Sequence, residues 1–223
     1  MCGRFDQLEE TLPDGVDLAA INGPQLCVVA GPTEALGGLS EDLAAKDVKC
    51  RMLHTSHAFH SSMMDSVLQP FEAIADQFTY DHARLPLICN LSGRALEPTT
   101  RLDGAYWARH IREPVRFADC IDTASELGCE VILEIGPRAV MTGMAAARWK
   151  RPKETLISCL EQDSDDRAAV FRAMGQLYVQ GVTPRFEAMH AGQKGRIVAL
   201  PTYPFKRRRF WGPDKPGALH AEH

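Results

Sequence analysis

Two short apolar runs, residues 16–21 and 25–30, flank Asn22-Gly23-Pro24, a triplet suited to a tight connection. They predict a β pair. Thr33 is placed to cap a helix on which Leu36, Leu39 and Leu43 recur at i, i+3 and i+7, although Gly37 and Gly38 weaken it. Residues 48–53 then read as a returning strand, which completes a β-β-α-β unit. A stronger helical signal follows, because Val67, Leu68, Phe71, Ile74, Ala75 and Phe78 fall at i, i+1, i+4, i+7, i+8 and i+11 behind the potential cap Asp65. One face of that helix is expected to be buried.

Residues 85–91 and 130–135 read as largely apolar strands. Between them Phe117, Cys120, Ile121, Ala124 and Leu127 form a helical stripe that Gly128 can end. This alternation predicts α/β packing. Beyond Trp149 the pattern thins to one strand near 155–160 and one helix carrying Val170, Met174, Leu177 and Tyr178, stopped by Gly181. Pro201, Pro204 and Pro213 around the cationic run 206–209 predict an extended terminal segment.

Composition narrows the class. With 45% hydrophobic and 24% charged residues the chain can build a core, and its formal net charge of −4 is ordinary for a soluble protein. No apolar run approaches the ~20 residues of a membrane span, and the acidic opening does not resemble a secretory signal, so a cytoplasmic location and no membrane partner are expected. The seven cysteines are odd in number and contain no C-x-x-C pair, which argues against a disulfide framework or a thiolate zinc site. One basic run in a net-acidic chain lacks the spread of positive charge that nucleic acid requires.

The densest reactive cluster is residues 53–64, with His54, His57 and His60 at three-residue spacing. No carboxylate or cysteine accompanies them to complete a tetrahedral set, so no metal is expected. An imidazole titrating near neutrality can serve as a general base for a hydroxyl or thiol. From spacing alone, histidines merely hydrogen-bonded within a loop explain the cluster as well.

Several words recur in a known order: Asn22-Gly23-Pro24 with Val28-Val29-Ala30-Gly31-Pro32, Ser56-His57-Ala58-Phe59-His60-Ser61, Tyr106-Trp107 with Arg112-Glu113-Pro114-Val115-Arg116-Phe117, Glu134-Ile135-Gly136-Pro137, and Leu200-Pro201-Thr202-Tyr203-Pro204-Phe205 running on to Trp211. From about Val16 to Trp211 the chain resembles the acyltransferase domain of modular type I polyketide synthases and its following linker. The resemblance implies an incomplete α/β-hydrolase-like acyltransferase subdomain with a ferredoxin-like small subdomain and a C-terminal linker. It divides the chain into a lead-in (1–15), the small subdomain (16–56), the C-terminal part of the large subdomain (57–148), the linker (149–212) and a tail (213–223).

The resemblance also implies an activity: transfer of an acyl group from coenzyme A to the phosphopantetheine thiol of an acyl carrier protein through a serine ester. On that pattern His60 is the general base, the backbone carbonyl of Asn90 orients its imidazole, and His57 with Phe59 favours malonyl over methylmalonyl. Malonyl-CoA is then the substrate, with no covalently bound cofactor. A ketosynthase domain would contact the linker. Arg116 and Glu134 are read as structural. The family's nucleophile sits in Gly-His-Ser-x-Gly, and no Gly-x-Ser-x-Gly occurs in the 223 residues. Ser56, Ser61 and Ser62 are too close to the base in one loop to replace it. The expected reading is a fragment that lies downstream of the serine and of the carboxylate-binding arginine, is inactive alone, and associates through an open sheet edge. A non-catalytic docking module for a ketosynthase or carrier protein is the alternative.

Overall fold

The structure, a computed structural model, describes residues 12–189, 191–192 and 198–208. The expectations for residues 1–11, for Arg209 to Trp211 and for the tail 213–223 lie outside the described residues. The chain falls into two compact units, one ending at Pro184 and the other starting at Arg185.

In the first unit the opening apolar runs do form a pair. β1 (Asp17–Gly23) and β2 (Leu26–Ala30) are antiparallel, with Asp17 opposite Ala30 and Gly23 opposite Leu26, and with two local irregularities. Cys27 is 1% exposed and anchors a small core against Leu12, Leu18, Leu43, Val48 and Cys50. Helix α1 (Thr33–Ala44) supplies Leu43 to that core and buries Leu39, the residue one turn earlier on the same face. Thr33 is its first residue rather than its cap; Pro32 precedes it, with no side-chain cap.

Residues 48–53 do not form the expected third strand. The free edge of β1 is occupied instead by Val115, whose N–H donates to the Ala19 carbonyl at 2.9 Å and whose carbonyl accepts from the Ile21 N–H at 2.8 Å. Val48 and Cys50 still pack on the core, while Met52 and Leu53 are exposed.

A 3-10 turn at Ser62–Met64 leads into α2 (Asp65–Ala75), which packs against α3 (Gly104–Arg112). Asp65 is the first residue of α2, and the capping side chain is that of Ser61, which accepts from the Met63 N–H. The helix ends three residues before Phe78. Its predicted stripe is only partly buried: Ala75 is buried and Leu68 half-buried, but Ile74 is 59% exposed, and Val67, Phe71 and Phe78 are also open. The apolar segment 85–91 likewise shrinks to β3 (Ile88–Cys89), paired antiparallel with β4 (Arg94–Ala95). The chain turns back immediately after Cys89, where the Gly93 N–H bonds the Cys89 carbonyl at 2.7 Å and Gly93 takes φ +70°.

The second core is built around α4 (Phe117–Glu126). Ile121 meets Trp149 and Ala145, the latter in the short helix α5 (Met141–Ala145), with Phe117, Ala124, Ile132 and Leu156 around them. Gly128, at φ +82°, ends the helix as its sequence position predicts. β5 (Ile132–Glu134) pairs in parallel with β6 (Leu156–Ser158), and this parallel pair flanked by helices carries the α/β character of the fold. Helix α6 (Asp166–Val179) is capped by Asp165, whose carboxylate accepts from the Ala168 N–H at 2.7 Å, and Gly181 follows at φ +89°. Among the described residues no helix is long and apolar enough to cross a membrane. In the second unit the described residues include the four-residue helix α7 (Phe186–Met189), and Tyr203 and Phe205 meet edge to face at 5.0 Å.

Candidate functional site: a histidine held by a helix end

The loop before α2 is fixed from both sides. Ser61 is fully buried; its hydroxyl donates to the Ala58 carbonyl at 2.6 Å and accepts from the Met63 N–H at 3.3 Å, which closes the turn on which His60 sits. The N–H and hydroxyl of Ser62 both donate to Asp17 Oδ2 at 2.7 Å, tying the loop to the start of β1. Arg112, at the end of α3, joins the same network through Asp65 at 2.7 Å and Asp17 at 3.4 Å. Burial raises the Asp17 carboxyl, but the two Ser62 hydrogen bonds and the Arg112 guanidinium outweigh it and hold the group below the usual carboxylate range.

His60 occupies the left-handed region at φ +63°. Its N–H donates to the Ile111 carbonyl at 2.8 Å, and its ring Nδ1 lies 2.9 Å from the Glu113 carbonyl oxygen. A carbonyl can only accept, so Nδ1 carries the proton in this contact. In the neutral ring that leaves the lone pair on Nε2, for which no hydrogen-bond partner exists among the described residues. The contact thus fixes the tautomer of the ring.

The orienting carbonyl is therefore not that of Asn90. The Asn90 carbonyl accepts the Arg116 N–H at 2.8 Å, and its side-chain oxygen lies 3.5 Å from the Cys120 thiol. Glu113 takes the role for a reason written in the chain: it precedes Pro114, which forces it into extended backbone at ψ 156° and turns its carbonyl out of the helical ladder. Its side chain points elsewhere, paired with Arg109 at 2.7 Å.

His57 and Phe59 share the loop and a cleft with His60. Their rings meet edge to face at 6.1 Å, Phe59 is 47% exposed, and His57 Nδ1 lies 3.0 Å from the Ser56 hydroxyl. His57, Phe59 and Ser56 line this cleft of about 520 Å³, with Val28, Leu39 and Met63 also in its lining. Ser56, Ser61 and Ser62 bond other partners, none of them His60. Among the described residues no group of three His, Cys, Asp or Glu side chains could hold a metal ion.

Beside His60 lies an aromatic group on α3. His110 meets the His60 ring edge to face at 5.8 Å, and is itself flanked by Trp107 at 5.8 Å and Tyr106 at 6.1 Å. Burial, and then the neighbouring His60, hold the His110 imidazole below its usual value. The Tyr106 hydroxyl lies 3.4 Å from the Cys89 sulfur; burial and then that contact raise the phenol well above its normal range. The Cys120 thiol is pushed up to about 11, mainly by burial. Arg116 pairs with Asp119 at 3.3 Å.

Residues 3–184 match the model of the acyl transferase domain family. The chain is 36% identical over 213 residues to the phenolphthiocerol synthesis polyketide synthase type I Pks15/1 of Mycobacterium bovis, covering 96% of this chain and 10% of that protein. It is 33% identical over 206 residues to the mycoketide-CoA synthase of Mycobacterium tuberculosis, covering 92% and 5% respectively. Among solved structures, the acyltransferase domain from the second module of the salinomycin polyketide synthase superposes with a TM-score of 0.81 at 34% identity, covering 90% of this chain and 48% of that one. The acyltransferase domain of SpnD in complex with 2-(pent-4-yn-1-yl)malonyl superposes at 0.75 with 30% identity, covering 81% and 45%. The chain thus spans about half of these solved domains and a small part of the curated synthases.

Proposed function

This chain belongs to the acyl transferase domain family, and from that premise we propose that it contributes the general base for moving a malonyl group from malonyl-CoA to the phosphopantetheine thiol of an acyl carrier protein. The observation that carries the reading is the His60 contact: Nδ1–H given to the Glu113 carbonyl leaves Nε2 to take a proton, and His60 is one of the residues that line the cleft. In the first half-reaction Nε2 accepts the proton of a serine hydroxyl as its oxygen attacks the thioester carbonyl. The C–S bond breaks, and the proton passes to the coenzyme A sulfur. In the second half-reaction Nε2 takes the pantetheine S–H proton, the sulfur attacks the serine ester, and the proton returns to the serine oxygen.

That serine is not supplied by the 223 residues, which contain no Gly-x-Ser-x-Gly. It belongs to a segment that this chain must meet, covalently or by association. His57 and Phe59 crowd the acyl group, and a ring where an extra methyl would sit discriminates by roughly 1–3 kcal/mol. The carrier protein is the acceptor, and a ketosynthase contacts the C-terminal segment. Radiolabelled malonyl-CoA tests the reading. Residues 1–223 alone are expected to take up no ester-bound label, whereas addition of a polypeptide carrying the Gly-His-Ser-x-Gly half gives an ester that His60→Ala abolishes. Label on a serine of the isolated chain, or an ester insensitive to His60, refutes it.

A further inference from the structure

We infer that His110 is a positioning residue for His60, its ring forming the wall that sets the plane of the base. The inference rests on reading His60 as that base. A single hydrogen bond from Nδ1 to the Glu113 carbonyl tolerates a range of distances and angles, so by itself it aims Nε2 only loosely. A second contact narrows that range. His110 provides it edge to face, at 5.8 Å and an interplanar angle of 75°.

The wall is itself braced. Tyr106 and Trp107 lie one helical turn before His110 on α3 and both touch its ring, while the Tyr106 N–H is capped by Asp103 at 3.0 Å. The same helix end supplies the Ile111 and Glu113 carbonyls that hold the backbone and ring of His60. Backbone, ring atom and ring plane of the base are therefore all set by residues 110–113. A neutral wall suits the task, since a cation there would oppose protonation of His60. The half-buried position of His110 holds its imidazole toward the neutral form.

The test reads the tautomer of His60 in the full chain labelled with 15N-histidine, with no substrate present, so a failed transfer assay and a failed positioning role are separate results. Wild type is expected to show the proton on Nδ1. His110→Ala is expected to let the ring swing off the Glu113 carbonyl and so to raise the ratio of the Nε2–H to the Nδ1–H form roughly threefold to tenfold, the scale of one aromatic pair. His110→Phe restores the ring without its nitrogens and is expected to return the wild-type ratio, which general loosening of the fold would not do. An unchanged ratio in the Ala chain, or an altered ratio in a Phe chain whose remaining spectrum is native, overturns the inference. If the Ala chain unfolds, the Phe chain alone decides.

Discussion

Replacing Asp17 by asparagine probes the joint on which the His60 loop depends. The carboxylate receives two hydrogen bonds from Ser62 at 2.7 Å and a longer contact from Arg112, with its side chain 27% exposed. Hydrogen bonds to a charged group contribute about 1.5–3 kcal/mol when buried. Partial exposure reduces this, and asparagine keeps one acceptor oxygen, so Asp17→Asn is expected to lose roughly 1.5 kcal/mol and Asp17→Ala about twice that. For a chain of this length the Asn loss corresponds to about 3–6 °C in Tm. The sign with pH follows from the depressed carboxyl. Its stabilisation is complete above the unfolded carboxylate value, near 4, and is lost as pH falls toward the lower folded value. Urea melts of wild type and Asp17→Asn should therefore differ most at neutral pH and converge below about pH 4. A gap under about 0.5 kcal/mol at pH 7, or one that persists unchanged into acid, would refute the reasoning.

Three further outcomes are expected. Glu134 is 5% exposed and accepts the N–H groups of Val140, Met141 and Thr142 as well as the Thr142 hydroxyl, so Glu134→Gln should lower stability by about 2 kcal/mol, measured by urea midpoint. Burial raises the Glu134 carboxyl, but these four bonds hold it low, so its stabilisation too is present above the normal carboxylate range and fades on acidification. Gly93→Ala places a Cβ on a φ of +70° and into the Asp119 side chain; a fall of at least about 2 kcal/mol by thermal melt is expected, and a neutral result would contradict the turn geometry. In the assembled enzyme Phe59→Ser should shift competition between malonyl-CoA and methylmalonyl-CoA toward the latter by roughly tenfold, and no shift would remove Phe59 from the selectivity reading.

What the sequence exposes, and what it conceals, follows from how each feature is encoded. The β1–β2 pair and the Gly128 end of α4 are local: turn residues and spacing specify them, and packing agrees. Residues 48–53 have the composition of a strand, but a strand needs an edge, and the edge of β1 is taken by Val115 from a segment far along the chain. The stripe from Val67 to Phe78 is periodic enough to predict burial, yet α2 packs on α3 and leaves much of that face open. At the site, His57, Phe59 and His60 stand in one short word and are readable together. Glu113 is not, because it acts through a backbone carbonyl 53 residues away and its side chain carries no trace of that use. The one clue is Pro114, which predicts a carbonyl released from the helix but not what it will meet.

The left-handed backbone at His60 sets two demands on one residue against each other. A side chain in that region costs roughly 1–2 kcal/mol that glycine would avoid, so drift toward glycine relaxes the turn while deleting the imidazole. A relaxed turn and an imidazole at this position therefore exclude each other. Transplanting the His-Ala-Phe-His word into another loop would carry over the letters without the twist that aims them.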